Sequence, residues 1–421
     1  MTPTLTRPRE ARALLDFARP SAVRHGFGWL DDDGSVDPSR PVMLWITGRM
    51  THAFAMGHLL GIPGCRHLAA HGIAALATGL RDPDHPGWFS AVTLEGEPVE
   101  GPKVSYDHSF VILAASSGIA VGASRAADLL SDALAVTEEL WWDKEFGMVV
   151  DAVSREGDVV DPYRGANANM HTVEAFLAAA AATGDDLWLR RALRITERMA
   201  GEFSTHGLRL PEHYDAEWRP QLNYNREQSA DPFRPYGATP GHSFEWARLM
   251  VHLAAELEHR GHAVPSTLRE LPQKMYDRAV ADAWAPDGAP GFVYTTGFDG
   301  APVVSNRMHW VLCEAIGAAA VLRESADGDR AAQLESDIAR YWDFADRYLI
   351  ECPGAWRHEL TPDNSPVSGT WSGKPDIYHA LQACLIGGLP SRPPFAWALK
   401  AAAEGAGEAA ERSGEDAERS G

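Results

Sequence analysis

Four histidines recur along the chain from residue 171 onwards, and each stands near the start of a predicted helix. They are His171, His242, His309 and His379, at intervals of 71, 67 and 70 residues. Each follows a residue that can cap a helix N-terminus, namely Asn167, Thr239, Ser305 and Asp376. Since an imidazole gains or loses a proton near neutral pH, the pattern predicts several helices that open onto one pocket suited to acid–base chemistry.

The segment GATPGHSFEWARLM gives the chemistry most clearly. His242 and Glu245 lie three residues apart on one predicted helix face, so that the carboxylate can orient the imidazole. The helix N-terminus disfavours an added positive charge and keeps the histidine neutral. The segment KPDIYHALQAC places His379 in the same setting. Histidines near helix starts are more often capping or packing residues, but the repetition favours function, and we expect His242 and His379 to form the acid–base pair.

Other polar and aromatic residues stand at helix starts in neighbouring units. Arg49 in LWITGRMTHAF and Tyr106 in VSYDHSF are placed to reach a sugar hydroxyl or a developing oxyanion. A surface ion pair and an ordinary packing aromatic are the alternatives for these two residues. Trp310 can form an aromatic wall for a sugar ring or belong to the core. The histidines do not show the spacing of a metal site, so we expect no metal.

A period near 70 residues in a chain of 421 indicates about six units, each with room for two helices. Twelve segments have apolar residues at helical spacing: 8–19, 47–60, 65–80, 107–121, 126–142, 167–182, 185–202, 239–260, 266–282, 305–323, 327–349 and 375–388. Six helical hairpins in a ring predict an all-α fold, an (α/α)6 barrel. Long loops with short β-hairpins, such as one near 291–296, are expected on the active-site face.

The charge of −20 argues against nucleic acid or an anionic membrane as a partner. We expect one catalytic domain over 1–395 and an acidic, disordered tail over 396–421, where large apolar residues are scarce. Four widely spaced cysteines are interpreted as reduced core residues. The N-terminus lacks the apolar run of a signal peptide, which favours a cytoplasmic protein. The oligomeric state stays open, a homo-oligomer included.

Two segments, RPYGATPGHSFEWARLM and SGKPDIYHALQAC, supported by NANMHTVEAFLAA and NRMHWVLCEAI, resemble the N-acylglucosamine 2-epimerase superfamily. Within it, the chain is most similar to the branch of aldose–ketose isomerases that act on mannose and, in some members, on sulfoquinovose. The resemblance spans most of residues 8–390. It implies an (α/α)6 barrel, a reaction without metal or cofactor, and a proton transfer between C2 and C1 through a cis-enediol.

By this resemblance the catalytic residues are His242 and His379, with Glu245 beside the first. The residues that match sugar-lining positions are Arg49, Tyr106, Asn167, His171 and Trp310. The implied function is the interconversion of D-mannose and D-fructose, with D-lyxose and D-xylulose as further candidates, and a monosaccharide is the expected partner.

Several alternatives share the fold. A sugar 2-epimerase acting on N-acylglucosamine, cellobiose or mannose would use the same two histidines, and a sulfoquinovose isomerase would need a cationic clamp that cannot be placed among Arg226, Arg234 and Arg307. A glycoside hydrolase would use two carboxylates, with Glu245, Asp231 and Glu359 as candidates. A noncatalytic sugar-binding protein is the remaining possibility.

We predict that His242→Ala and His379→Ala each abolish turnover while the protein stays folded, because each removes one half of an acid–base pair. The measurement is the rate of hexose conversion together with the circular dichroism spectrum. His67→Ala, on a predicted outer helix, is the control and should keep full activity. Near-normal turnover in either active-site variant would refute the assignment.

Overall fold

Helices arranged in two concentric rings form the body of the protein in a computed structural model, which describes residues 7–367, 369–370 and 372–405. The inner ring consists of α2 (Leu44–Leu59), α4 (Ser105–Ala120), α6 (Ala166–Thr183), α8 (Pro240–His259), α10 (His309–Ser325) and α12 (Tyr378–Ile386). The outer ring consists of α1 (Pro8–Ala18), α3 (Cys65–Ala77), α5 (Ala126–Val136), α7 (Asp186–Thr205), α9 (Ser266–Ala283) and α11 (Gly328–Phe344).

Neighbouring inner helices pack against one another, and α12 also contacts α2, so the ring is closed. Inner helices are buried around almost their whole circumference, as in α6, whereas α7 buries one apolar face and exposes charged residues on the other. This difference follows from the sequence, because a helix that is apolar all round needs neighbours on every side. The predicted (α/α)6 barrel is confirmed.

A β-hairpin with the same backbone hydrogen bonds recurs six times, once in each unit. In the first, Asp31 N donates to Ser35 O at 2.8 Å and Gly34 N donates to Asp31 O at 3.0 Å. The residue with positive φ near each turn is Gly34, Gly96, Gly157, Trp218, Gly300 or Asn364. Glycine tolerates this left-handed conformation at little cost, and Asn is the usual substitute. The fully buried Trp218 is the exception among the six.

Short strands join the hairpins to the inner helices. A strand that leads into an inner helix pairs with a strand that follows the next outer helix along the chain. The pairs of this kind are Val42–Met43 with Ala91–Val92, Lys103–Val104 with Ala152–Val153, Arg164–Gly165 with His213–Tyr214, and Arg307–Met308 with Glu359–Leu360. The other pairs are Ala22–Val23 with Gly26–Phe27, Trp142–Asp143 with Met148–Val149, Thr295–Thr296 with Pro302–Val304, and Ile350–Cys352 with Ala355–Trp356.

The predicted helix starts need correction. Asn167 is the second residue of α6, and Ser305 lies before the strand that leads into α10, so neither caps a helix. Thr239 directly precedes α8, but its hydroxyl makes no hydrogen bond within the described residues. Asp376 alone acts as expected and accepts from Tyr378 N at 2.9 Å. In α2, α4, α6 and α10 the first N–H of the helix instead donates to the carbonyl of the residue just before the paired strand, as Ala166 N does to Glu212 O at 3.0 Å.

The histidines are also not equivalent by position. His171, His242, His309 and His379 are the sixth, third, first and second residues of their helices. The repeat is clearer in another series, Trp45, Tyr106 and Asn167, which are spaced by 61 residues and are each the second residue of an inner helix. The period near 70 arises because the later units carry longer loops.

The boundary expected at residue 395 falls at the start of a further helix, over 395–405. Phe395, Ala396 and Leu399 of this helix are buried, so apolar burial holds it against the barrel. Residues 406–421 of the expected tail lie outside the described residues. Cys352 is exposed, unlike the other three cysteines, because it lies in a surface hairpin. Among the described helices, none combines the length and the apolar character that a membrane crossing requires.

We predict that deleting residues 395–421 lowers the free energy of unfolding by about 3–6 kcal/mol, because it exposes the sites filled by Phe395 and Leu399. The matched control deletes only 406–421, a segment without large apolar residues, and should leave the free energy of unfolding unchanged. Urea unfolding of both proteins makes the comparison. Equal stabilities would mean that the 395–405 helix contributes nothing to the fold.

Candidate active site

The inner helices begin around one cavity of about 650 Å³, a volume that includes its open mouth. All eight residues predicted for the site line it: Arg49, Tyr106, Asn167, His171, His242, Glu245, Trp310 and His379. They form two layers. Near the mouth lie side chains from the second or third helix position, such as Tyr106 and His379, and below them lie those from the sixth position, such as Arg49 and His171.

Glu212 holds His242 in place. Its Oε2 accepts from His242 Nδ1 at 2.9 Å, and its Oε1 accepts from Thr239 N at 3.3 Å, so one carboxylate fixes both the imidazole and the start of α8. Glu245 does not contact His242 in this way, which corrects the prediction. Three residues along a helix bring two side chains to the same face, but Glu245 points one turn deeper, towards His171 and Arg248.

Glu314 plays the same part for His379. Its Oε1 accepts from His379 Nδ1 at 2.9 Å, and it comes from α10, the neighbouring inner helix. Burial lowers the pKa of His379 well below its usual range, and the nearby Arg49 cation acts in the same direction. A carboxylate acceptor on Nδ1 places the proton there and leaves Nε2 with its lone pair. In both histidines Nδ1 faces a glutamate oxygen, and Nε2 makes no hydrogen bond within the described residues.

Trp310 separates the two histidines. Its ring centroid lies 5.2 Å from that of His242 and 5.8 Å from that of His379. Gly241 makes room for this ring, because a Cβ at that position would come within 2.3 Å of Trp310 Cζ3. The indole thus forms a flat apolar surface with a base on either side.

Arg49 is the permanent cation of the cavity. Its guanidinium donates to Tyr106 Oη at 2.8 Å and to Asp376 Oδ2 at 3.3 Å, and it lies 4.4 Å from the Phe110 ring centroid. Although burial opposes the charge, Tyr106, Asp376 and other acidic groups raise the pKa of Arg49 overall. Its Nε is buried without a partner among the described residues, and it is a donor available to a bound molecule.

Asn167 and His171 also keep unused hydrogen-bonding capacity. Asn167 Oδ1 and His171 Nδ1 are buried and make no hydrogen bond within the described part of the chain. Burial lowers the pKa of His171 to about 4, so its ring is neutral at pH 7. Orphaned polar atoms cost free energy unless a ligand satisfies them, which marks this wall of the cavity as a place for hydroxyl groups.

A cluster of charges forms the floor of the cavity. Arg248 contacts Glu314 at 3.0 Å, Glu245 at 3.3 Å and Glu174 at 3.6 Å, and all four side chains are buried. Burial and the neighbouring Glu314 raise the pKa of Glu245 well above its usual range. His171, Glu174 and Glu245 offer atoms within 4.8 Å of one another. The guanidinium of Arg248 supplies the cation that these carboxylates face.

Sequence reasoning missed Glu212, Glu314 and His358. Glu212 belongs to a series that recurs every 61 residues, which consists of Ser90, Asp151 and Glu212. Each of these residues directly precedes a strand whose partner strand leads into an inner helix. Aligning the six hairpins would have found this series and placed His358 in it. Glu314 occupies the sixth position of its helix, as Glu245 does, and that register was its only signal.

The remaining candidates lie elsewhere or have other partners. His309 lines the cavity, and it stacks on His358 with centroids 3.9 Å apart. Asp231 and Glu359 are not among the lining residues, so they do not converge with Glu245. The three loop arginines are also outside the lining: Arg307 binds Asp287, Arg234 binds Asp161 and Arg226 lies over Tyr236.

The fold is an (α/α)6 barrel, and its cavity contains two histidines that are each hydrogen-bonded to a carboxylate. This arrangement suits acid–base chemistry on a small polar molecule. The chain belongs to the N-acylglucosamine 2-epimerase (GlcNAc 2-epimerase) family, whose sequence profile matches residues 26–383.

Two relatives are named D-mannose isomerase. The protein of Thermobifida fusca is 47% identical over 394 residues, which is 93% of this chain and 95% of the relative. That of Pseudomonas cannabina pv. alisalensis is 44% identical over 392 residues, with 93% and 94% covered. A crystal structure of a D-mannose isomerase superposes with a TM-score of 0.81 at 26% identity and covers 89% of this chain and 95% of that one. Cellobiose 2-epimerase from Bacillus thermoamylovorans B4167 shares the fold, with a TM-score of 0.77 at 17% identity over 90% of this chain and 97% of its own.

We predict that Glu212→Gln and Glu314→Gln each move the proton of one histidine from Nδ1 to Nε2. Each carboxylate also accepts from a second donor, Thr239 N for Glu212 and Arg248 Nε for Glu314. The glutamine oxygen must face that donor, so the NH₂ group turns towards Nδ1 and requires an acceptor there.

Nitrogen chemical shifts of ¹⁵N-histidine-labelled protein report the tautomer. Each variant is the matched control for the other, since Glu212→Gln should change the His242 signals alone and Glu314→Gln those of His379 alone. Unchanged signals in both variants would show that the carboxylates do not set the tautomers.

Proposed function

We propose that the protein is an aldose–ketose isomerase that interconverts D-mannose and D-fructose. The observation that carries the proposal is the pair of histidines on either side of Trp310, each with Nδ1 hydrogen-bonded to a glutamate. The relatives named D-mannose isomerase, at 47% and 44% identity over nearly the whole chain, support the choice of sugar.

The reaction begins from the open-chain aldose. One histidine removes the proton from C2, and the electron pair forms the C1–C2 double bond of a cis-enediol as the carbonyl oxygen at C1 gains a proton. The same histidine then returns the proton to C1, while the hydroxyl proton leaves O2 and the C2 carbonyl forms. The second histidine moves the oxygen-bound protons. Each step needs a nitrogen that can accept and return a proton, and Nε2 of His242 and of His379 takes this role.

We assign Arg49 to the oxygens at the reacting end of the sugar. Its cation stabilises negative charge that develops on the enediol oxygens, and its free Nε–H can donate to one of them. Tyr106, Asn167 and His171 form the hydroxyl-binding wall, and Trp310 packs against the apolar face of the sugar. The orphaned atoms of Asn167 and His171 would gain partners on binding, which favours a polyhydroxylated ligand.

The charges of the cavity disfavour an anionic sugar such as sulfoquinovose. Among the described residues that line the cavity, Arg49 is the single arginine or lysine, and Asp376 already pairs with it. A sulfonate or phosphate group would add a negative charge near Asp376 without a further cation among the described lining residues. We therefore propose a neutral monosaccharide rather than sulfoquinovose as the substrate.

The glycoside hydrolase alternative is disfavoured, because the second carboxylate that lines the cavity beside Glu245 is Asp376, which already pairs with Arg49. A hydrolase of this kind needs two acidic groups on either side of the scissile bond. Glu245 faces Arg248 on the floor, and Asp231 accepts hydrogen bonds from the backbone N–H groups of Phe233 and Arg234. We also propose the cytoplasm as the compartment, because all four cysteines are unpaired, as is usual where thiols stay reduced.

We predict that purified protein converts D-mannose to D-fructose without added metal or cofactor, because imidazoles perform the proton transfers. Chromatography of early time points distinguishes the products. Fructose should come first, and glucose should stay absent while mannose is in excess. Glucose without fructose would favour a 2-epimerase, which returns the proton to the opposite face of C2. Sulfoquinovose is the matched charged substrate, and its turnover should be at least about 100-fold slower.

A further inference from the structure

Arg248 lies beneath the cavity and is not one of the residues that line it. Its side chain is 2% exposed, so it does not meet the substrate. A buried guanidinium is costly unless its donors are satisfied, and here three carboxylates from three helices surround it. Arg248 belongs to the floor, and its partner Glu314 also contacts His379, one of the two catalytic histidines. This link suggests that Arg248 has a part in the chemistry.

We propose that Arg248 is a positioning residue that keeps Glu314 ionised, and that through Glu314 it fixes the tautomer and the basicity of His379. The proposal deepens the isomerase function and rests on it, since it concerns the base that moves protons in that reaction.

The geometry of Glu314 carries the inference. Its Oε2 accepts from Arg248 Nε at 3.0 Å, and its Oε1 accepts from His379 Nδ1 at 2.9 Å. The carboxylate therefore has one oxygen for the cation and one for the imidazole. An ionised carboxylate can only accept, so Nδ1 must hold the proton and Nε2 the lone pair. Were Glu314 protonated, its O–H would donate to Nδ1, and the proton of His379 would move to Nε2.

Arg248 is the group that decides between these states. Burial and the neighbouring Glu174 raise the pKa of Glu314 overall, and the Arg248 cation limits this rise. Glu245 shares the same guanidinium, and burial and Glu314 raise its pKa well above the usual range. The other groups that face Arg248 are Tyr378, His52, His252 and the ring of Phe395, whose centroid lies 5.8 Å from the guanidinium carbon. Burial lowers the pKa values of both histidines to about 4, so Arg248 is the cation of this cluster at neutral pH.

The second dyad has no such support. Glu212 contacts His242 and Thr239 N. The carboxylates that Arg248 contacts within the described residues are Glu174, Glu245 and Glu314, and Glu212 is not among them. The two histidines are thus held by chemically different glutamates. This difference supplies an internal control, because a change at Arg248 should alter His379 and leave His242 unaffected.

The test compares Arg248→Met, Arg248→Lys, Glu314→Gln and the double variant Arg248→Met/Glu314→Gln. Without the cation, Glu314 takes up a proton, so Arg248→Met should show His379 with its proton on Nε2 in ¹⁵N spectra at pH 7, with His242 unchanged. Arg248→Lys keeps a cation and should keep the wild-type tautomer.

The kinetic readout is the pH profile of mannose isomerisation. In Arg248→Met the acidic limb of kcat/KM should move to higher pH by about 1–3 units, because Glu314 must now lose its proton at higher pH. At pH 7, kcat should fall about 100-fold while KM changes by less than about threefold. In the double variant, the arginine change should add almost nothing to the effect of Glu314→Gln, because both act on one group.

Three results would overturn the proposal: an unchanged His379 tautomer in Arg248→Met, an unshifted acidic limb, or multiplicative effects in the double variant. If Arg248→Met does not fold, as judged by thermal melting, Arg248→Lys decides. A folded lysine variant whose His379 proton has moved to Nε2 would show that cationic charge at this position does not set the tautomer. The spectra need no substrate, so they separate this proposal from the sugar assignment.

Discussion

The active site depends on the hydrogen bonds between two kinds of short strand: those that lead into the inner helices and those that follow the outer helices. Each pairing fixes the height at which an inner helix begins, so that first-turn side chains from separate helices meet at one level. The same ladder delivers Glu212, because the residue whose carbonyl accepts from Ala166 N also sends its side chain to His242. A shift of one residue in that pairing would turn Glu212 away from the cavity.

Charge burial beneath the cavity is the second organising feature. Three carboxyl groups share the guanidinium of Arg248, and the pKa of one of them, Glu245, is raised well above its usual range. Such clusters seldom add net stability over an apolar core of equal volume. Here the cluster fixes the orientation of Glu314, because this carboxylate is held between a cation and an imidazole and cannot rotate without losing one of them.

The sequence alone predicts the ring of helices and the residues that line the cavity, because both depend on local periodicity and on resemblance. It cannot predict which carboxylate meets which histidine. Glu245 is three residues from His242, yet the partner is Glu212, 30 residues away, and His379 finds Glu314 65 residues away. Helix starts were wrong at Asn167 and Ser305 for a related reason, since paired strands supply the hydrogen bonds that a local cap would otherwise provide.

The closure of the ring has a consequence for the timing of synthesis. The first and last described units meet, with Arg7 N donating to Cys384 O at 3.2 Å and Lys374 N donating to Leu30 O at 2.8 Å. His379 lies on the last inner helix, whereas His242 emerges from the ribosome more than a hundred residues earlier. A nascent chain that lacks α12 therefore lacks His379, one of the two histidines that we propose for the proton transfers. We expect a chain that is cut short before α12 to be inert.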